Sequence, residues 1–315
     1  MEIPQELRLA IEKQLEENKT SAIIENSQII SKRYRQNTDG TKKLLTEQEE
    51  AIAYSISRMP ATYCAVYSVF QHVLEINNEK LSSLLDVGAG TGSAVWAINE
   101  LIDLDKITCL EREKVMINTG KELMKNTKLK DIEWKEFDIL QDTLTEKADI
   151  VVTSYMINEL SEKENAILKL WEATEKILVI IEPGTPAGSK NILYAREILL
   201  KQGAKIIAPC SHQGKCGLPK DDWCSFYVRV ARTGIQRLSK KGELGYEDEK
   251  FSYIAFSKTQ ENNGKDRILR HPQIRQGHIK IKLCTQNGIE ERTITKKDGQ
   301  IYKKVKKLDA GDILY

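Results

Sequence analysis

Between residues 81 and 258 the chain alternates short, nearly continuous apolar runs with amphipathic stretches. The runs are LLDVG (84–88), KITCLE (106–111), ADIVVTSY (148–155) and ILVIIEPG (177–184). Between them, residues 93–102, 114–124, 162–176 and 190–202 carry apolar positions at helical spacing. Such runs, alternating with amphipathic helices, predict a parallel sheet covered on both faces. AKIIAPC (204–210) and FSYIAFSK (251–258) add a sixth and a seventh strand, the last with an antiparallel look, and a cysteine-bearing insertion (about 209–226) falls between them. The expected unit is an α/β domain over 81–263.

The flanks differ in texture. Residues 1–80 read as helical: Leu7, Leu9, Ile11 and Leu15 lie on an amphipathic spacing, Gln36 to Gly40 forms a turn cluster, and Pro60 breaks a second helix that starts near Thr46. From Gly264 onward, HIKIKLC, ERTITK and IYKKVKKL alternate, with Asn287-Gly288 and Asp298-Gly299 as hairpin turns. Residues 264–315 therefore read as a small antiparallel β module.

Composition narrows the function classes. The 315 residues are 40% hydrophobic and 30% charged, with 48 basic against 46 acidic side chains, so no global polycation or polyanion is present. No apolar run is long enough for a transmembrane helix, and the first twenty residues are too charged for a signal peptide. A cytosolic chain with no membrane role is expected. The charge is uneven: residues 264–315 hold 13 Lys/Arg and 6 Asp/Glu, and a basic stripe on a half-exposed sheet suits a phosphate backbone.

The segment LLDVGAGTGS runs from an apolar strand through Asp86 into a glycine loop and a helix start. Gly88 and Gly90 permit a tight turn and close approach of a ligand, and Gly92 lets the helix pack onto the sheet. Glu111 ends the second strand, where a carboxylate holds both hydroxyls of a ribose. Asp138, in EFDIL, follows a third strand, where an acid accepts from an adenine amino group. This set resembles the class I S-adenosylmethionine-dependent methyltransferases, with an NAD-binding Rossmann domain as the nearer rival. The resemblance implies a Rossmann-like seven-stranded sheet and a donor site on Asp86, Gly88, Gly90, Gly92, Glu111, Asp138 and Ser154. After the fourth strand the chain reads Thr153-Ser-Tyr-Met156, without the Pro-Pro-aromatic motif of amino-group enzymes. Asn158 and Glu159 lie where an acceptor or a helix cap is expected, and no residue stands out as catalytic.

Cys210, Cys216 and Cys224 fall in a stretch of Gly, Pro and Asp that makes no packed core by itself. Such a cluster needs a metal to order it, with His212 or Cys284 as fourth ligand and zinc or an iron–sulfur cluster as the occupant. Cys64 and Cys109 sit in helix and strand patterns and read as small buried hydrophobes.

Taken in order, RMPATYCAVYSVF (58–70), LLDVGAGTG (84–92), SYMINEL (154–160), IEPGTPAG (181–188), PCSHQGKCGLPKDDWCSF (209–226) and RILRHPQIRQGHIKIKLCTQNG (267–288) resemble one family. It is the methyltransferase-like family of mitochondrial small-ribosomal-subunit (Rsm-type) proteins and their bacterial relatives. The resemblance implies a protein acting on small-subunit rRNA in ribosome assembly or translation, as a methyltransferase or as a non-catalytic RNA-binding assembly factor with a structural metal site. It also implies a 4Fe-4S cluster on Cys210, Cys216, Cys224 and Cys284, with zinc as the alternative. The acidic amphipathic start of this chain differs from an Arg-rich, acid-poor targeting segment, so a bacterial, cytoplasmic member is expected.

Overall fold

The computed structural model describes residues 1–18, 20–36, 45, 47–232, 234–239, 244–262 and 264–314. Four helices come first: α1 (Gln5–Glu16), α2 (Thr20–Gln36), α3 (Gln48–Ser57) and α4 (Met59–Leu74). Of the turn cluster expected at residues 36–40, Gln36 ends α2 and residues 37–40 lie outside the described residues, as does Thr46. Pro60 occupies the first turn of α4, where its missing N–H is no loss, so it begins one helix as much as it ends another.

The α/β part follows as β1 (Ser83–Val87), α5 (Ser93–Asn99), β2 (Lys106–Glu111), α6 (Lys114–Met124), β3 (Glu133–Glu136), β4 (Ala148–Ser154), α7 (Lys163–Ala173), β5 (Thr174–Pro183), α8 (Pro186–Lys201), β6 (Lys205–Ala208), β7 (Phe226–Ala231), α9 (Gly234–Ser239) and β8 (Tyr246–Ser257). Strands β3-β2-β1-β4-β5 are parallel, and β8 inserts antiparallel between β5 and β6. That order, with one reversed strand next to the edge, is the class I methyltransferase sheet. Alternate residues of the central strands face opposite layers. Leu84, Ile150, Val152, Val179 and Ile181 pack with helices α3 to α6. Leu85, Val151, Leu178 and Ile180 pack with α7 and α8. Both faces are dry, which is why the strands read as continuous apolar runs.

Three features differ from the sequence reading. The sheet has eight strands, because Phe226–Ala231 pairs with the first half of β8. That half, YEDEK, is polar and alternately exposed, so it carried no apolar signal. Helix α8 starts at Pro186, where Thr185 caps it by accepting from the Gly188 N–H at 3.2 Å. Third, IYKKVKKL is not a strand: Gly299, with φ of 56°, leads into α10 (Gln300–Val305), and Ile301 and Val305 put their side chains on the small core at i, i+4.

The rest of the tail is the expected antiparallel sheet: β9 (Arg267–Ile268), β10 (Gln273–Arg275), β11 (His278–Thr285) and β12 (Gly288–Thr295), with β11 central. The β11–β12 hairpin turns on Gln286-Asn287, one residue before the expected pair, and Gly288 already faces Thr285 as the first residue of β12. No described helix is long and apolar enough to cross a membrane.

Candidate functional site: a donor cleft and a four-thiol pocket

The parallel strands end at one edge, and the donor-site candidates collect there. Asp86, next to last in β1, is fully buried and neither carboxylate oxygen has a partner. Burial, and secondarily the Glu111 charge, push its pKa up to about 8. The glycine loop is tied to β2 by the Gly88 and Ala89 N–H groups, which donate to the Leu110 carbonyl at 2.9 and 3.1 Å. Gly88, Gly90 and Gly92 all have positive φ (74°, 58° and 87°). A Cβ on Gly88 would lie 2.7 Å from the Met156 sulfur, so the segment after β4 crosses the loop.

Glu111 accepts from the Gly90 N–H at 2.7 Å and from the Glu113 N–H at 2.9 Å. Each oxygen retains a second lone pair for a ligand hydroxyl. Burial raises its pKa, while those backbone donors pull it back. Asp138 is half-buried beyond β3, and its carboxylate accepts from the Leu140 N–H at 2.9 Å. Ser154 closes β4.

The cleft also gathers groups that sequence reasoning missed. Tyr155 has a left-handed backbone (φ 62°), rare for an aromatic residue. Its hydroxyl donates to Glu249 at 3.0 Å, and Glu249 stands 3.7 Å from Arg58. Tyr54 of α3 is pushed up to about 12, mainly by burial, and feels the charges of Arg58, Glu159, Glu111 and Glu249. The α3–α4 corner is thus one wall of the cleft, and Met59 there accepts a hydrogen bond from Thr91 at 3.4 Å. Asn158 and Glu159 form a single 3-10 turn. The Asn158 N–H and the Asn191 amide both donate to the Glu182 carboxylate. No linear signal marks this group, because its members come from α3, the α3–α4 corner, the segment after β4, β5, α8 and β8.

Burial is the leading cause in each shifted acid: Asp86 and Glu159 rise to about 8 and Glu182 to about 7. A carboxyl group that binds its proton more tightly folded than unfolded stabilises the fold below its unfolded pKa and loses that contribution as pH rises through the folded value. The ligand-free protein is therefore expected to lose melting temperature between pH 4 and 8. Asp86→Asn should flatten that slope, and a thermal-shift series across the range checks it.

The cysteine loop leaves the opposite part of the sheet. Cys210 follows β6, Cys224 precedes β7, and Cys284 lies on β11. These three and Cys216 line one pocket with His212, Leu218, Leu269 and Ile289. The Cys210 and Cys284 thiols interact directly. The surrounding backbone is pinned: Ser211 Oγ donates to the carbonyls of Lys265 and Cys284, Ser252 Oγ to that of Cys224, and the Trp223 indole to that of Gly184. Asp222 accepts from Arg270 and from Lys282 (2.7 Å), locking the loop onto the small sheet. Among the described residues no three His, Cys, Asp or Glu side chains are gathered closely enough to hold a metal ion as they stand. Cys64 and Cys109 are fully buried elsewhere, as expected.

Comparison with known proteins follows this geometry. A family model described as "Mitochondrial small ribosomal subunit Rsm22" matches residues 48–315. The human "Ribosome assembly protein METTL17, mitochondrial" is 26% identical over 76% of this chain and 56% of its own length. The Saccharomyces cerevisiae "Ribosome assembly protein RSM22, mitochondrial" is 22% identical over 78% of this chain and 64% of its own. The chain thus spans less than two thirds of either relative. A SAM-dependent methyltransferase from Aquifex aeolicus superposes with a TM-score of 0.44 at 15% identity, covering 68% of this chain and 99% of that one. These names overturn the expectation of a bacterial, cytoplasmic protein, since the matched relatives are mitochondrial. The charge pattern that prompted it belongs to α1, whose Leu7 and Ile11 are core residues. Its acidic outer face reports a packed helix and not an address.

Proposed function

The chain belongs to the Rsm22 family, and from that premise we propose that it is a ribosome assembly protein that binds S-adenosylmethionine, carries a metal–thiolate cluster and contacts small-subunit rRNA. The observation that carries this reading is the family match itself, which takes in both the glycine loop and all four pocket cysteines. The relatives named as ribosome assembly proteins supply the process.

At the donor cleft, Glu111 suits the ribose hydroxyls, Asp138 the adenine edge, and unpartnered Asp86 the ammonium end of the donor. The backbone at Gly88 and Gly90 leaves room for the donor's spine. Bound there, S-adenosylmethionine would supply an activated methyl group. The Ser154–Met156 segment would then line its acceptor side, with proximity supplying most of the rate.

At the pocket, four thiols on largely apolar walls fit a 4Fe-4S cluster held by Cys210, Cys216, Cys224 and Cys284. A zinc ion on the same four thiolates is the alternative occupant. His212 lines the same pocket and is the reserve ligand in the zinc case. The cluster would join the cysteine loop to the small sheet.

RNA contact is assigned to the small module. Arg275, Lys280, Lys296, Lys297, Lys303 and Lys306 are exposed there. Binding of small-subunit rRNA to the full chain should weaken as salt rises. Lys296→Ala/Lys297→Ala/Lys303→Ala should reduce the slope of log K against log salt by about 0.7–0.9 per lysine. An unchanged slope would remove this surface from the reading.

A second reading, donor binding without methyl transfer, is favoured by one observation. Tyr155 sits where an acceptor-positioning motif is expected, and its hydroxyl is already engaged by Glu249. Incubation of the full chain with radiolabelled donor and small subunits separates the two: label in rRNA supports the enzyme, and donor binding without label supports the assembly factor.

A further inference from the structure

Arg196 of α8 and Arg267 of β9 are both buried, 4% and 0% exposed. A buried guanidinium is tolerated when an anion and a full set of acceptors surround it. Neither residue has that set. Arg196 donates to the carbonyls of His212 and Gly214, its Nε has no partner, and its side chain lines the four-thiol pocket.

Arg267 donates through Nη1 to the Gly311 carbonyl, while Nε and Nη2 have no partner. Its nearest carboxylate, on half-exposed Glu75, is 3.9 Å away. Arg267 is the register partner of Cys284, so the two side chains leave the same face of the small sheet. Its charge also reaches Cys224 and Tyr253, and Tyr253 lines the pocket. Arg196 on the pocket wall, and Arg267 next to it as the register partner of Cys284, therefore bring two buried cations and three unpartnered nitrogens to the four thiols.

We propose that Arg196 and Arg267 are the fixed countercharges of a dianionic metal–thiolate centre on Cys210, Cys216, Cys224 and Cys284. The inference rests on the four-thiol reading above and adds to it the charge that the site is built to receive. A 4Fe-4S core of charge +2 on four thiolates carries −2, as does a zinc ion on four thiolates. Two guanidinium groups neutralise either centre, and their free N–H groups suit sulfur acceptors. Metal binding displaces the thiol protons, so this negative charge arises only with the metal. Both arginines are positioning residues, acting on the centre through its charge.

One-electron reduction of a 4Fe-4S centre takes the assembly from −2 to −3, so each nearby cation favours the reduced form. The test uses the full chain, purified without oxygen and reconstituted with ferrous iron and sulfide. Iron and sulfide content, the midpoint potential in a dithionite titration, and iron release to a chelator are then measured. Arg196→Gln and Arg267→Gln are each expected to shift the one-electron equilibrium about tenfold toward the oxidised form, a fall of about 59 mV. Iron release should accelerate by a similar factor. Arg196→Lys and Arg267→Lys, which keep the charge and lose the planar fork, should restore most of both quantities. Exposed Arg229→Gln should change neither.

If Arg267→Gln does not fold, the Arg196 pair decides. Wild-type potential and release in the Gln variants would overturn the countercharge role while leaving the cluster intact. Lys variants as impaired as Gln would overturn it too, because geometry and not charge would then be at work. A wild-type chain that takes up zinc instead carries the same comparison through zinc release. A wild-type chain that takes up no metal would end the four-thiol reading, and this inference with it.

Discussion

Gly88→Arg is expected to weaken S-adenosylmethionine binding at least about a hundredfold, beyond the reach of ordinary titration. Two effects combine. The residue sits at φ 74°, where an L side chain costs of order 1 kcal/mol, and its Cβ would stand 2.7 Å from the Met156 sulfur. The arginine must displace Met156 and so disturb the segment that crosses the glycine loop at the expected donor site. Met156 belongs to a short loop after β4, so it has room to shift and the sheet should survive. Calorimetric titration with the donor, alongside circular dichroism, checks both halves. Gly90→Ala is the graded control: its φ of 58° strains the loop, but its Cβ meets only the Met116 methyl at 3.4 Å. Full-strength donor binding by Gly88→Arg would place the ligand elsewhere.

The second large effect is expected at the pocket. Cys284→Ser should abolish metal retention, because it removes the ligand that comes from the small sheet. A centre held a thousandfold above its Kd contributes about 4 kcal/mol to the folded state. For a chain of this size that is a loss of roughly 10 °C in melting temperature. Proteolysis should then open the connection between β8 and β9, since the metal no longer ties β11 to the cysteine loop. Donor affinity should stay within about threefold, as the glycine loop lies on other strands. Cys64→Ala, which alters a buried thiol far from the pocket, should leave metal content unchanged. Metal retained by Cys284→Ser at the wild-type level would return the fourth position to His212.

Much of this was legible in linear form, and the reasons are physical. Strands β1, β2, β4 and β5 are covered on both faces, so each had to be an apolar run. The glycine loop was readable because positive φ selects a residue type. Cys210, Cys216 and Cys224 were readable because their spacing makes no sense as packing, whereas Cys284, on a distant strand, stood out only through the family resemblance. Strand β7 was not, because it leans on the polar half of β8. Helix α10 was misread because Ile301 and Val305 fit an alternating pattern as well as a helical one.

The charged groups around both sites were invisible for another reason. Arg196 stands in YAREILLK, where an arginine looks like any solvated position on a helix, and only the folded chain turns it inward. Glu249 likewise looks like one acid among several in YEDEKF. Its meaning comes from Tyr155 and Arg58, each far away in sequence.

The placement of β8 between β5 and β6 bears on the order of events during synthesis. Strand β6 leaves the ribosome well before β8, its only strand partner among the described residues, and must wait with an open edge while the cysteine loop is made. Cys284 emerges later still, near the end of the chain. The donor cleft, whose loop and parallel strands come first, is nearly complete at a stage when the pocket holds three of its four thiols. Domains fold as they are produced, N-terminal parts first. The nascent chain therefore completes its glycine-loop cleft early and its four-thiol pocket last, and every molecule passes through an interval with three of the four thiols and an unfilled sheet edge. On the proposed metal–thiolate reading, metal supply during that interval decides how much newly made chain matures and how much is left to proteases.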